Sequence, residues 1–246
     1  MTKETSPKLQ ARIAGFLYLI VIATGIFAEA FVRGKLIAYG DAAATATHIL
    51  TSEHLFRLGF AADLIAAASY IGVTLIFYVL FKPVSSSLSL LAAFFGLSGS
   101  IIMAANLLNQ LAAVVILGAR SLTSFGPDQL QTLALVFLKL HAHGYNISIV
   151  FFGFYCLLIG YLIVRSTFLP RILGILLAIA GLSSAANSFA DFLSLELGAT
   201  LADHILDPSL VGEGSLALWL CLIGVNESKW QKQRNNAEEF RSSGHE

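Results

Sequence analysis

Leu88–Gly118 reads LSLLAAFFGLSGSIIMAANLLNQLAAVVILG, 31 residues without one charged side chain. About 20 apolar residues suffice for a helix to cross the hydrocarbon core of a bilayer. Lipid offers the backbone no hydrogen-bonding partner, so a spanning segment is a helix or a strand of a closed barrel. Barrel strands would alternate in character over about ten residues, and this stretch does not alternate. It predicts a transmembrane helix, longer than the bilayer needs and therefore tilted or projecting.

Working outward, five more runs have the same character: Ile13–Val32, Phe56–Phe81, Leu140–Val164, Leu169–Leu195 and Leu210–Val225. The last is short, but Pro208 suits a first helical turn and allows an earlier start. The expected fold class is an all-α integral membrane protein, a six-transmembrane-helix bundle over residues 11–225. Polar tails at 1–10 and 226–246 flank it, the second expected to be a frayed end. Composition agrees: 57% of the 246 residues are hydrophobic and 12% charged, against about 25% charged in soluble domains, and mean hydropathy is +0.77. Fifteen basic residues against fifteen acidic ones leave no surplus to hold nucleic-acid phosphates.

Six crossings place both termini on one side. That side carries Lys3, Lys8, Arg12, Lys82, Arg165, Arg171, Lys229, Lys232, Arg234 and Arg241. The other carries Arg33, Lys35, Arg57, Arg120 and Lys139. Cytoplasmic loops are rich in Lys and Arg, so both termini are expected in the cytoplasm. The acidic residues run the other way: Glu29, Asp41, Glu53, Asp63, Asp128, Asp191, Glu196, Asp203, Asp207 and Glu213 fall on the outer side, with His48, His54, His141, His143 and His204. The basic start, apolar run and Ala28-Glu29-Ala30 resemble a cleavable secretory signal. The run is long for one, and a retained anchor is the reading taken.

The first outer loop, 33–55, should hold an extra helix, because Asp41 can cap Ala42-Ala43-Ala44 and the segment can continue through His48. Gly126-Pro127-Asp128 is a turn, after which Gln131–Lys139 should continue helically into the fourth span. Cys156 and Cys221, deep in spans, read as small packing residues. Gly96, Gly99 and Ser100 permit close helix contact, within the bundle or between copies. Arg12-Ile13-Ala14-Gly15-Phe16-Leu17 and Arg171-Ile172-Leu173-Gly174-Ile175-Leu176 share R-I-x-G-x-L at two inner starts. A parallel duplication and two similar starts explain this equally.

Polar residues are costly in lipid, face the interior and mark sites. Here they gather in the outer halves: Thr24 and Glu29, Arg57 and Asp63, Asn106, Asn109 and Gln110, Lys139, His141, His143 and Asn146, Asn187 and Asp191, and Glu213. Helical spacing puts Asn106, Asn109 and Gln110 on one face, Ser184, Asn187, Ser188 and Asp191 on another, and Lys139, His143 and Asn146 on a third. His141 aligns instead with Tyr145 and Ser148, so His141-x-His143 is no two-ligand claw in a regular helix. The zinc-protease pair of His residues four apart is absent.

An outward-opening polar pocket follows, lined by Glu29, Arg57, Asp63, Asn106, Gln110, Lys139, His143, Asn146, Asn187, Asp191 and Glu213, with Asp63 and Asp191 its deepest members. The competing reading is a structural network in which Arg57 and Lys139 neutralise Asp63, Asp191 and Glu29. As a site it would bind a small ligand or ion. The alternative is a metal-dependent intramembrane hydrolase of a lipid-like ester or amide, with a divalent metal on His141, His143, Asp63 and Asp191. Proton or cation transport lacks a Gly/Pro-broken span and an inner polar path.

Several stretches resemble one family in order. They are Ala11-Arg12-Ile13-Ala14-Gly15-Phe16-Leu17-Tyr18 and Ile26-Phe27-Ala28-Glu29; Gly40–Ala46, Glu53 and Leu55–Gly59; His143-Gly144-Tyr145, Phe151-Phe152-Gly153 and Leu158-Ile159-Gly160-Tyr161; Phe168–Gly174; and Gly212-Glu213 before Trp219. They look like a bacterial family of integral membrane proteins catalogued only as domain of unknown function 4386. The resemblance covers Ala11 to Val225. It implies a single-domain helical protein of a bacterial inner membrane and implies no activity.

Overall fold

Apolar side chains outnumber what any interior could hold, and the fold leaves them outside. In the computed structural model, which describes residues 6–118, 124–193 and 208–243, Leu75, Phe94, Leu108, Val115 and Leu182 are all exposed. Such residues satisfy their hydrophobicity against lipid rather than against each other.

Every described element is helical. α1 (Pro7–Ile26) continues through a π-helical segment, Phe27–Arg33, into the short α2 (Gly34–Leu36). Then come α3 (Ala42–Thr51), α4 (Glu53–Phe81), α5 (Ser86–Leu117), α6 (Pro127–Arg165), α7 (Arg171–Leu193), α8 (Pro208–Leu222) and α9 (Glu227–Ser243). Five helical stretches are long and apolar enough to cross a membrane: Pro7–Leu36, Glu53–Phe81, Ser86–Leu117, Pro127–Arg165 and Arg171–Leu193. α8 qualifies as a sixth only when taken with the helix after it, to which it is bent by 102°. The protein is therefore multi-pass, with five or six candidate spans. Arg120, Glu196, Asp203, His204 and Asp207, with Lys3, Glu4 and Glu246, lie outside the described residues, as does the end of the span expected at Leu169–Leu195.

Local chemistry sets the ends. Asp41 Oδ1 accepts from the Ala44 amide at 2.9 Å, so the expected outer-loop helix starts where its cap predicts. Pro127 opens α6, and the Gln129 side chain accepts the Gly126 amide at 2.9 Å, reaching back as a capping box does. The expected fourth span, from Leu140, is thus the C-terminal two-thirds of one 39-residue helix, about 58 Å long. α8 runs from Pro208 to Leu222; just beyond it, Gly224, with φ of +79° and its amide bonded to the Trp219 carbonyl (3.1 Å), forms a left-handed stop.

The chain forms two compact units. One comprises residues 1–19, 69–99 and 149–246, the other 20–68 and 100–148. In the first, buried aromatic rings meet edge to face: Tyr18 with Tyr70 at 5.6 Å and Phe77 with Phe81 at 5.7 Å. α6 and α7 approach through paired glycines. A Cβ on Gly181 would stand 2.5 Å from the Gly153 carbonyl oxygen, and one on Gly174 2.5 Å from that of Gly160. Each pair member lies seven residues from the next, so both contacts fall on one seam. Gly96 and Gly99 meet Thr74 and Phe152 within this unit, so contacts inside the chain use them.

In the second unit, Val32, Leu36, Ile37, Ile49, Phe56, Ala113, Ile116, Ala134 and Leu138 form one apolar cluster. α3 joins it through Ile49. Its Thr45 hydroxyl donates to the Ala38 carbonyl and accepts the Ala38 amide, each at 2.9 Å.

The tail after Val225 differs from expectation. It is helical, and the Trp230 indole N–H donates to the Leu80 carbonyl at 2.9 Å from a buried position. Trp230 is the aromatic anchor of a polar helix that has almost no apolar face.

Candidate functional site

The second unit carries the ionic centre, and its key residue was assigned to a loop. The first span was expected to end at Val32, but the helix runs on to Leu36. The change of phase is the π segment. The Gly34 amide bonds to the Glu29 carbonyl, five residues back, and this wider turn re-aims the side chains around it. Gly59 of α4 lets this segment come close, since a Cβ there would meet Val32 at 2.8 Å.

Arg33 is consequently 5% exposed. Its Nε donates to Glu29 Oε2 at 2.7 Å, and its Nη1 donates to Asp63 Oδ2. The guanidinium also lies over the Tyr145 ring, 6.0 Å from its centre. Asp63, one of the two residues ranked deepest, is 2% exposed. A buried carboxylate is tolerable only when paired, and Arg33 is the partner.

This corrects the pairing read from sequence. Arg57 pairs with Glu53 at 2.7 Å on the exposed side of α4, and Lys139 is exposed. Neither appears among the ion pairs of Asp63 or Glu29. Arg33 was legible in one respect: Glu29 and Arg33 stand four apart, the spacing of a helical ion pair.

A polar cluster on α5 and α6 belongs to the same unit. Asn106 Nδ2 donates to the His141 carbonyl at 2.8 Å. His141 Nδ1 lies 3.3 Å from both Asn106 Nδ2 and the Asn106 carbonyl oxygen. Asn109 Nδ2 donates to Asn106 Oδ1 at 2.9 Å. Gly144 is what admits the Asn106 amide, because any Cβ there would collide with it. Gln110 is fully buried. Along each helix the apolar cluster lies on one side of these groups: Phe56 before Asp63, Ala113 and Ile116 after Gln110, Leu138 before His141. The polar groups are therefore covered at that end.

Four buried polar atoms among the described residues of this unit have no hydrogen-bond partner: Asp63 Oδ1, Gln110 Nε2, Gln110 Oε1 and His141 Nε2. An unsatisfied buried group costs about 1–3 kcal/mol, so four in one unit require an explanation. Beside the network, in the turn after α2, burial and then Glu29 raise the Tyr39 hydroxyl pKa above its usual 10.

The remaining predicted residues are placed differently. His143 is exposed and Asn146 half-buried on α6. Asn187 is exposed and Asp191 half-buried on α7, in the other unit. Glu213 of that unit accepts from the Tyr18 hydroxyl at 2.6 Å. Tyr70 Oη lies 3.5 Å from Tyr18 Oη and 3.9 Å from Cys156 Sγ. Among the described residues, no group of three or more His, Cys, Asp and Glu side chains is disposed to hold a metal ion.

A family model described as Domain of unknown function (DUF4386) matches residues 13–224. No curated protein and no solved structure matches the chain.

Proposed function

The chain belongs to the DUF4386 family, a domain of unknown function, and with no activity to inherit we propose that its buried Arg33 network binds a small polar ligand or ion. The observation that carries this reading is the set of four unsatisfied atoms on Asp63, Gln110 and His141. Two of them, Asp63 Oδ1 and Gln110 Oε1, can only accept, and Gln110 Nε2 can only donate. A guest that both donates and accepts would satisfy them. The π-helical segment supports the reading, because such insertions recur at functional positions.

The positive-inside count supports both termini in the cytoplasm and this unit toward the outside, and the family resemblance supports a bacterial cytoplasmic membrane. Access is then from the outer side, past the apolar cluster that includes α3. The metal-dependent hydrolase has no ligand cluster among the described residues to rest on.

Thermal unfolding of the detergent-solubilised protein tests the proposal. The panel comprises alkali and divalent chlorides, ammonium, urea and small zwitterionic amino acids at millimolar concentration. At least one member should raise the unfolding temperature, and Gln110→Leu should abolish the rise while keeping the fold. If every member leaves wild type unmoved, or moves Gln110→Leu equally, the proposal fails.

A further inference from the structure

A cleft lies in the unit that comprises residues 1–19, 69–99 and 149–246. It measures about 810 Å³ and is formed by the turn after α4, the turn after α6 and one side of α9. Three lysines line it: Lys82 from the first turn, and Lys229 and Lys232 from α9. The last two are three residues apart and share a helix face. No acidic residue lines the cleft, and none of the three lysines is in an ion pair among the described residues.

We propose that this cleft binds a phosphate group. Three lysines on two walls of one cleft match a compact oxyanion of more than one negative charge, whereas a carboxylate would leave cations uncompensated. Ser86 also lines the cleft, and its hydroxyl can donate to a phosphate oxygen.

The walls are held. The Thr167 amide and hydroxyl both meet Gln233 Oε1 at 3.0 Å, and Trp230 ties α9 to Leu80. The lysines are thus presented from fixed backbones. Position favours a lipid source for the phosphate. Each wall sits where an apolar span stops, at Phe81, Arg165 and Leu222, which is headgroup depth. Phe240 lines the cleft while 81% exposed, as an acyl-chain or interface contact would require. Lysines at that depth attract anionic lipid.

Native mass spectrometry of the full chain in neutral detergent is the test, with added phosphatidylglycerol or phosphatidylcholine. Calorimetry with inorganic phosphate runs in parallel. Wild type should retain one phosphatidylglycerol in preference to phosphatidylcholine. Lys229→Gln/Lys232→Gln should weaken this about 30-fold, roughly fivefold per lysine at the membrane surface. Lys35→Gln, which removes one positive charge from the other unit, should not. If instead inorganic phosphate binds wild type saturably and the double variant does not, the site holds and its ligand is soluble. The proposal is overturned if neither probe distinguishes wild type from the double variant, or if Lys35→Gln weakens binding equally. Should the double variant fail to fold, Lys82→Gln on the opposite wall gives the same reading with a fivefold loss.

Discussion

At the scale of single residues, the decisive asymmetry is that Arg33 serves two carboxylates while Asp63 has one partner. Removing Arg33 as Arg33→Met leaves Asp63 a buried unpaired carboxylate, and breaking such a pair costs about 3–5 kcal/mol. Removing Asp63 as Asp63→Leu leaves Arg33 still bonded to Glu29 at 2.7 Å, so it should cost less. The double variant buries no orphan charge and should lie closer to wild type than Arg33→Met does. Denaturant unfolding of the three variants measures this as a cycle. Simple addition of the two single costs would remove the pair from the account. Arg57→Gln sets the scale of a surface pair, at about 0–1 kcal/mol.

The same residues show how far depth arguments reach. Asp63 could be singled out because a carboxylate a third of the way into an apolar run has few tolerable environments. Its partner could not, because sequence counting assumes one helical period throughout. Counting on from Val32 leaves Arg33 at the start of a loop; the π segment instead turns it inward. Arg57 fails for the opposite reason. Its long side chain has Glu53 within reach on its own helix, and proximity along a helix outcompeted the expected partner.

At the scale of elements, the spans were legible because continuous apolar runs need no phase to recognise. The α6–α7 seam was not, because glycine carries no hydropathy signal and its significance appears only when two helices meet. Gly153, Gly160, Gly174 and Gly181 allow backbone-to-backbone approach, and packing at such contacts rather than hydrophobicity holds helices together in lipid. Gly181→Val should therefore destabilise by about 1–3 kcal/mol through overpacking. Gly25→Ala, where nothing stands within 4 Å, should gain up to about 1 kcal/mol of helix propensity. Thermal unfolding of both variants decides the matter. Opposite expectations at two helical glycines make it hard to satisfy by accident.

At the scale of the whole molecule, the open question is whether α8 crosses. Its 15 residues span about 22 Å, short of the roughly 30 Å hydrocarbon core. Contacts within one unit nevertheless argue for a crossing. The Ser6 hydroxyl donates to Glu227, Arg12 donates to the Leu222 carbonyl at 3.2 Å, and the Asn226 amide donates to the Phe168 carbonyl at 3.2 Å. With Trp230 on Leu80, the start of α1, the ends of α4 and α6, and α9 meet at one place. Chain ends that touch lie on one side of a membrane, which requires an even number of crossings. With five long candidate spans, an even count would make α8 the sixth, and its near-perpendicular bend into α9 would then lay the polar helix along the surface. Lipid can thin around a short span at modest cost. Single-cysteine variants in a background lacking Cys156 and Cys221 test this with a membrane-impermeant thiol reagent on intact cells. Ser6→Cys and Ser228→Cys should be protected until the cells are opened, and Asp41→Cys should react at once. If Ser6→Cys is protected while Ser228→Cys reacts from outside, α8 does not cross, and the contacts between α9 and the inner turns would have no place in the membrane-embedded protein.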